Sequence, residues 1–149
     1  MKFNFYKAIS TCFGLGFVSP LPGTLTSFLT LVIIWTIQTY FGIKITILFI
    51  LFITLIGYIS VKKNPNNKSD PKEIVIDEFI GQSLVLVFLP LTYQNYILAF
   101  IFFRFFDIYK PMPINYFEKK YQNAFGVIFD DIIAAFYSLI SIYLISIIL

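Results

Sequence analysis

The residues able to do chemistry in this chain are few and bunched. Five of its eight acidic residues, Asp77, Glu78, Asp107, Asp130 and Asp131, fall in three short stretches. These read IVIDEFIG at 74–81, FRFFDIYKPMPI at 103–114 and GVIFDDIIAAF at 126–136, and the only arginine, Arg104, lies inside the second. Carboxylates are costly within or beside a membrane and persist there for a purpose. Acid clusters with one guanidinium point to a bound cation and a bound phosphate.

Each motif also has a plainer reading. In IVIDEFIG, Asp77 and Glu78 point about 100° apart on a helix, so one can hold a metal while the other turns to a neighbouring element. The pair could instead only compensate a helix N-terminus. Gly81, one turn after Asp77, leaves room for another helix or a ligand. Arg104 and Asp107 share a helix face, with Lys110 a turn further on and Pro111 ending the helix. They read as a surface ion pair worth little, or as phosphate donors (Arg104, Lys110) beside a metal ligand or base (Asp107). Asp130 and Asp131 open the last apolar run; capping explains one of them, not both. Ala134 and Ala135 then allow close helix contact. A fourth segment, FGLGFVSPLPGTLTS at 13–27, places glycines ahead of an apolar helix, which suits a phosphate seat at a helix N-terminus. The alternative is a loop capped by Thr24 or Ser27.

Much is excluded. There is no histidine and a single cysteine, Cys12, which removes a disulfide, a Cys/His zinc site and a Ser-His-Asp triad within the chain. Cys12 as nucleophile would need an arginine closing a phosphate loop, and FGLGFVSP has none. A net charge of +3 on so apolar a chain does not suggest nucleic acid.

The elements that must position these residues are helices. At 58% hydrophobic and 20% aromatic, the chain reads as a single integral membrane domain over 1–149. Segments 25–41, 43–61 and 132–149 approach span length, and the N-terminal residues do not read as a removable signal peptide. Residues 73–110 form a hairpin around the turn signal at 90–95. Asp77 and Glu78 lie about 14 residues before its tip and Asp107 about 15 after, so both ends reach roughly 20 Å from the tip at about 1.5 Å per residue. The expectation is an all-α, multi-span protein of about five membrane helices. With the N-terminus inside, ten of the eleven basic residues fall on the cytoplasmic side and only Lys44 outside. All three acidic motifs then share that face. The polar stretch 62–72 reads as a solvated connector, and 114–123 as a short helix lying in the headgroup layer.

With these blocks in order, the chain resembles the phosphatidylglycerophosphatase A family of bacterial inner-membrane lipid phosphatases. The likeness runs from about Phe13 to Tyr137 through GLGFVSPLPGTLTS, DEFIG, RFFDIYKPMPI and GVIFDDIIA. It implies an all-helical, Mg²⁺-requiring enzyme that removes the terminal phosphate of phosphatidylglycerophosphate, a membrane lipid, to give phosphatidylglycerol. Family members commonly carry a histidine or two near the loop before DEFIG, where this chain has Asn66, Asn67, Lys68, Ser69 and Asp70. Combined with the residue reading, the resemblance assigns Asp77, Glu78 and Asp131 to the metal. It assigns Arg104, Lys110, Thr24, Gly23 and Ser27 to the phosphate, and Asp107 or Asp130, together with Arg104, to catalysis.

Two other classes compete. A CDP-alcohol phosphotransferase also gathers acids and Mg²⁺ at a cytoplasmic interface, but its D-x-x-D-G string is missing here. A small cation or proton transporter would place carboxylates near mid-membrane.

Overall fold

The computed structural model describes residues 4–64 and 72–148. Most of the 62–72 connector, including the positions where the family commonly has histidine, lies outside the described residues. The described chain is helical, with no strand among the described residues. Helices α1 (Phe5–Ser10), α2 (Pro22–Lys63), α3 (Ile76–Val87), α4 (Tyr93–Tyr109), α5 (Ile114–Lys120) and α6 (Ala124–Ile148) follow in order, with a 3₁₀ turn at Leu15–Phe17 before α2.

Helix α2 is two arms. At Gly42 the backbone leaves helical geometry with φ 75° and ψ 173°, a conformation that suits glycine. Gly23 near the start of α2 abuts Glu78, while a Cβ on Gly57 near its end would lie 3.0 Å from Ile76 and Ile80. Residues 23 and 57 thus meet the same turns of α3, although a straight helix would hold them about 50 Å apart. The arms match the segments 25–41 and 43–61 expected from hydropathy.

The 73–110 hairpin is present as α3 and α4. Its turn is tighter than the 90–95 signal suggests, because Thr92 caps α4 by accepting from Asn95 N. Helix α3 is central, with 10 of its 12 residues buried. Gly81 explains how neighbours come so close: a Cβ there would sit 2.6 Å from the Phe103 ring of α4 and 3.0 Å from the Asp131 carbonyl of α6. Ala134 and Ala135 are buried, as their small size predicts, in the core that includes Phe103, Leu86 and Ile34. Tyr143 of α6 donates to the Phe88 carbonyl, so α6 runs alongside α3 in the same direction.

One boundary is corrected. The final helix begins at Ala124, with the Asn123 side chain accepting from Phe125 N and Gly126 N. Asp130 and Asp131 therefore sit in its second turn and cap nothing. At the same end, Asn64 donates to Ser10 Oγ and Val75 N donates to the Ser10 carbonyl, tying α1 to the start of α3. The short helix α5 lies within the 114–123 stretch read as a surface helix.

The outer surface carries apolar stripes at helical spacing: Ile45, Leu48, Phe52 and Leu55 on α2, Ile97, Ile101, Phe105 and Ile108 on α4, and Phe136, Ile140, Leu144 and Ile147 on α6. Among the described residues two helices, α2 and α6, are long and apolar enough to cross a membrane.

Candidate active site

All three acidic motifs arrive at one end of the bundle. Asp77 and Glu78 are in the first turn of α3, Asp107 is in the last turn of α4 and Asp130 and Asp131 are in α6. Together with Gly23, Thr24, Arg104 and Lys110 they line a cavity of about 380 Å³, whose wall also includes Pro20, Leu21, Pro22, Lys72, Ile74 and Ile108. Of the residues assigned in the sequence to the metal, the phosphate or catalysis, only Ser27 is outside this lining. It lies a turn beyond Gly23, fully buried, and its hydroxyl has no hydrogen-bond partner.

The Gly/Pro segment divides by role. Gly14 adopts φ 97° in the turn after α1, and Gly16 packs against the Glu73 backbone. Neither lines the cavity. Gly23 does, seated against the Glu78 carboxylate and beside Arg104. Helix α2 starts at Pro22 and has no side-chain cap, so Thr24 and Ser27 are not caps. Its first intrahelical bond is Leu25 N to the Leu21 carbonyl. The amides of Gly23 and Thr24 precede that bond, at the positive end of the helix dipole.

Within the cavity, carboxylate oxygens of Asp77, Glu78 and Asp131 lie within 4.8 Å of one another. Asp77 and Asp131 are buried, and Glu78 Oε2 and Asp131 Oδ2 lack hydrogen-bond partners. Three acids so placed, with two buried oxygens unsatisfied, suit a hard cation with oxygen ligands.

The basic groups stand opposite. Arg104 Nη1 donates to Asp107 Oδ2 and lies 3.8 Å from Glu78 Oε1, while its Nε is buried without a partner. Lys110 caps α4 in the left-handed region at φ 45°, and its Nζ bonds Glu118 Oε1 at 2.7 Å and Asp130 Oδ2 at 2.8 Å. Burial works against the Lys110 charge, but Asp130 and Glu118 outweigh it and hold the ammonium above its ordinary pKa. Each expected base is thus already paired with an expected phosphate donor.

Two residues escaped the sequence reading. Glu118 on α5 reaches Lys110 across the chain, signalled only by being the one acid in the 114–123 stretch. Gln82 follows Glu78 by one turn, fully buried with neither amide atom hydrogen-bonded; its signal is a long polar side chain inside an apolar run. Cys12 is outside the cavity lining, its Sγ 3.8 Å from the Val75 carbonyl. Burial, then the charges of Asp77 and Glu78, push its thiol up to about 12.

The sequence pattern of the family described as Phosphatidylglycerophosphatase A matches residues 8–146, a stretch that contains every residue of this cavity. The chain belongs to the phosphatidylglycerophosphatase A family. That is a family of phosphoric monoester hydrolases. Among relatives, the phosphatidylglycerophosphatase A of Haemophilus influenzae is 38% identical over 137 residues, covering 90% of this chain and 84% of its own length. That of Escherichia coli is 30% identical over 146 residues, covering 96% and 84%. A Bacteroides thetaiotaomicron protein, whose name proposes it as a phosphatidylinositol-3-phosphatase, is 35% identical over 144 residues, covering 90% and 89%. No solved structure matches the chain at a significant level.

Proposed function

We propose that the chain hydrolyses the terminal phosphomonoester of phosphatidylglycerophosphate, giving phosphatidylglycerol, with Mg²⁺ as cofactor. The observation that carries this is the convergence of Asp77, Glu78 and Asp131, oxygens within 4.8 Å of one another, beside Arg104 and Gly23 in one cavity.

Asp77, Glu78 and Asp131 would hold the cation. A divalent ion there supplies charge neutralisation for the phosphoryl oxygens, the main need of phosphoryl transfer. Arg104 offers its unpartnered Nε to the phosphate, and the Gly23 and Thr24 amides, ahead of the first bond of α2, would add further donors. An entering phosphate competes with Asp107 for Arg104 and with Asp130 for Lys110. Either aspartate, once its cation turns to substrate, is freed to accept a proton from the attacking water.

The apolar stripes support a membrane location. Five passes follow if the arms of α2, then α3, α4 and α6, each cross, with the site at the cytoplasmic end. Helix α3 rises only about 18 Å, short of a hydrocarbon core of roughly 30 Å; buried in the bundle, it need not face lipid along its length. Gathering the acids at one end disfavours the transporter reading.

The test is phosphate release by purified protein from phosphatidylglycerophosphate, with Mg²⁺ or with EDTA, and phosphatidylinositol 3-phosphate assayed alongside. Faster release from the inositol lipid, or full turnover in EDTA after metal stripping, would overturn the substrate or the metal respectively.

A further inference from the structure

Beside the polar cavity lies a second groove of about 320 Å³, lined by Ser19, Leu21, Thr24, Leu25, Phe28 and Phe100. Leu21 and Thr24 line both, so the two spaces adjoin. Two helices change character together along this groove. On α2, which runs away from the site, Phe28 follows Thr24 by one turn; on α4, which runs toward the site, Phe100 precedes Arg104 by one turn. Both phenylalanines therefore lie about 6 Å deeper than the polar residue above them. Their rings meet edge to face at 6.2 Å. Leu21, Leu25 and Phe28 follow at i, i+4 and i+7, a single stripe leading away from the cavity, and Leu21 and Phe28 are exposed.

We infer that this groove, between the first arm of α2 and α4, is the subsite for the acyl-glycerol part of a lipid phosphomonoester. This rests on the lipid phosphatase reading above. A diacyl lipid must bring its phosphate among carboxylates while its chains stay in an apolar phase. It needs a sideways exit that turns from polar to apolar within a turn or two of helix, and the Thr24–Arg104 to Phe28–Phe100 step supplies it. Other apolar grooves, one lined by Leu51, Leu55, Phe125 and Phe129 among others and one by Phe88, Phe136 and Tyr143 among others, share no residue with the cavity.

The probe is phosphatidylglycerophosphate carrying a photoreactive diazirine in mid-acyl position, crosslinked to the full-length protein in vesicles. Crosslinks are expected in 21–28 and 97–104, and excess unlabelled substrate should suppress them. Crosslinks in 51–58 and 125–132, or crosslinks that competitor leaves unchanged, would overturn the assignment. In parallel, Leu25→Trp and Phe28→Trp should each lower kcat/KM for the diacyl substrate about tenfold, while Leu55→Trp stays within about twofold of the parent. No loss in the first pair, or equal loss in all three, would also overturn it. The crosslink map is readable with or without turnover. A chain that binds the probe here yet releases no phosphate would count against the phosphatase reading alone.

Discussion

Gly23 of α2 and Glu78 of α3 meet so closely that a Cβ at residue 23 would overlap Glu78 Oε1 and stand 3.1 Å from Arg104 Nη1. Those atoms are ends of flexible side chains, so the fold can yield where the site cannot. Gly23→Ala should therefore change stability by no more than about 1 kcal/mol. It should lower kcat/KM roughly a hundredfold, because a displacement on the order of 1 Å at reacting groups has that scale of effect. Thermal melts and steady-state kinetics on the same preparation check this, and parent-like turnover would mean Glu78 is not held at the reacting centre.

Asp77, Glu78 and Asp131 repel one another when no cation is present. With the oxygens within 4.8 Å of one another and an effective dielectric of about 20, one ionised pair costs about 3.5 kcal/mol or more. Glu78→Gln and Asp131→Asn should each raise the melting temperature in EDTA, lose most of the stabilisation that Mg²⁺ gives the parent, and abolish turnover. The melts report metal binding independently of activity. A variant whose Mg²⁺-induced shift equals the parent's would remove that residue from the ligand set.

How much of this was legible in the sequence depends on range. The reversal at Gly42, the close approach at Gly81 and the stop after Tyr109 are local, dictated by backbone freedom or by Pro111, and a linear reading finds them. The start of α6 was hidden because Asp130 and Asp131 break the hydropathy of a run that helix geometry continues back to Ala124. Gly16 looked like part of a phosphate loop because composition cannot distinguish approach to a ligand from approach to the Glu73 backbone. The pairing of Lys110 with both Asp130 and Glu118 joins three elements, and nothing in the spacing of those residues announces it.

Cys12 should be dispensable and unreactive. Its thiol, raised to about 12 chiefly by burial, stays protonated through the neutral range, since a raised pKa moves thiolate formation to higher pH. Cys12→Ser should keep turnover within about twofold of the parent, and iodoacetamide at neutral pH should leave the parent active. Rapid inactivation by alkylation, protected by substrate, would return Cys12 to the reacting centre.

The five-pass arrangement predicts that Tyr40, exposed beside the Gly42 reversal, and Lys119 of α5 lie on opposite sides of the membrane. Single cysteines placed at each in a Cys12→Ser background should react with an impermeant maleimide from opposite faces, Lys119→Cys from the cytoplasmic one. Labelling of both from one face would show that the α2 hairpin does not cross.

Arg104 separates phosphate binding from metal binding. Its Nη1 is engaged by Asp107 and lies near Glu78, but its buried Nε has no partner, and a guanidinium fork can give two bonds to one phosphate where lysine gives a point charge. Arg104→Lys should therefore lower kcat/KM for the lipid about a hundredfold, about 2.7 kcal/mol of transition-state stabilisation, with the Mg²⁺ concentration for half activation unchanged. If Arg104 served only as ion partner to Asp107, lysine would replace it with little loss. Rate measured against lipid at saturating Mg²⁺, and against Mg²⁺ at saturating lipid, distinguishes the two. A near-normal rate, or a change confined to the Mg²⁺ curve, would assign the guanidinium to holding carboxylates in place and leave the phosphate to Lys110 and the amides of Gly23 and Thr24.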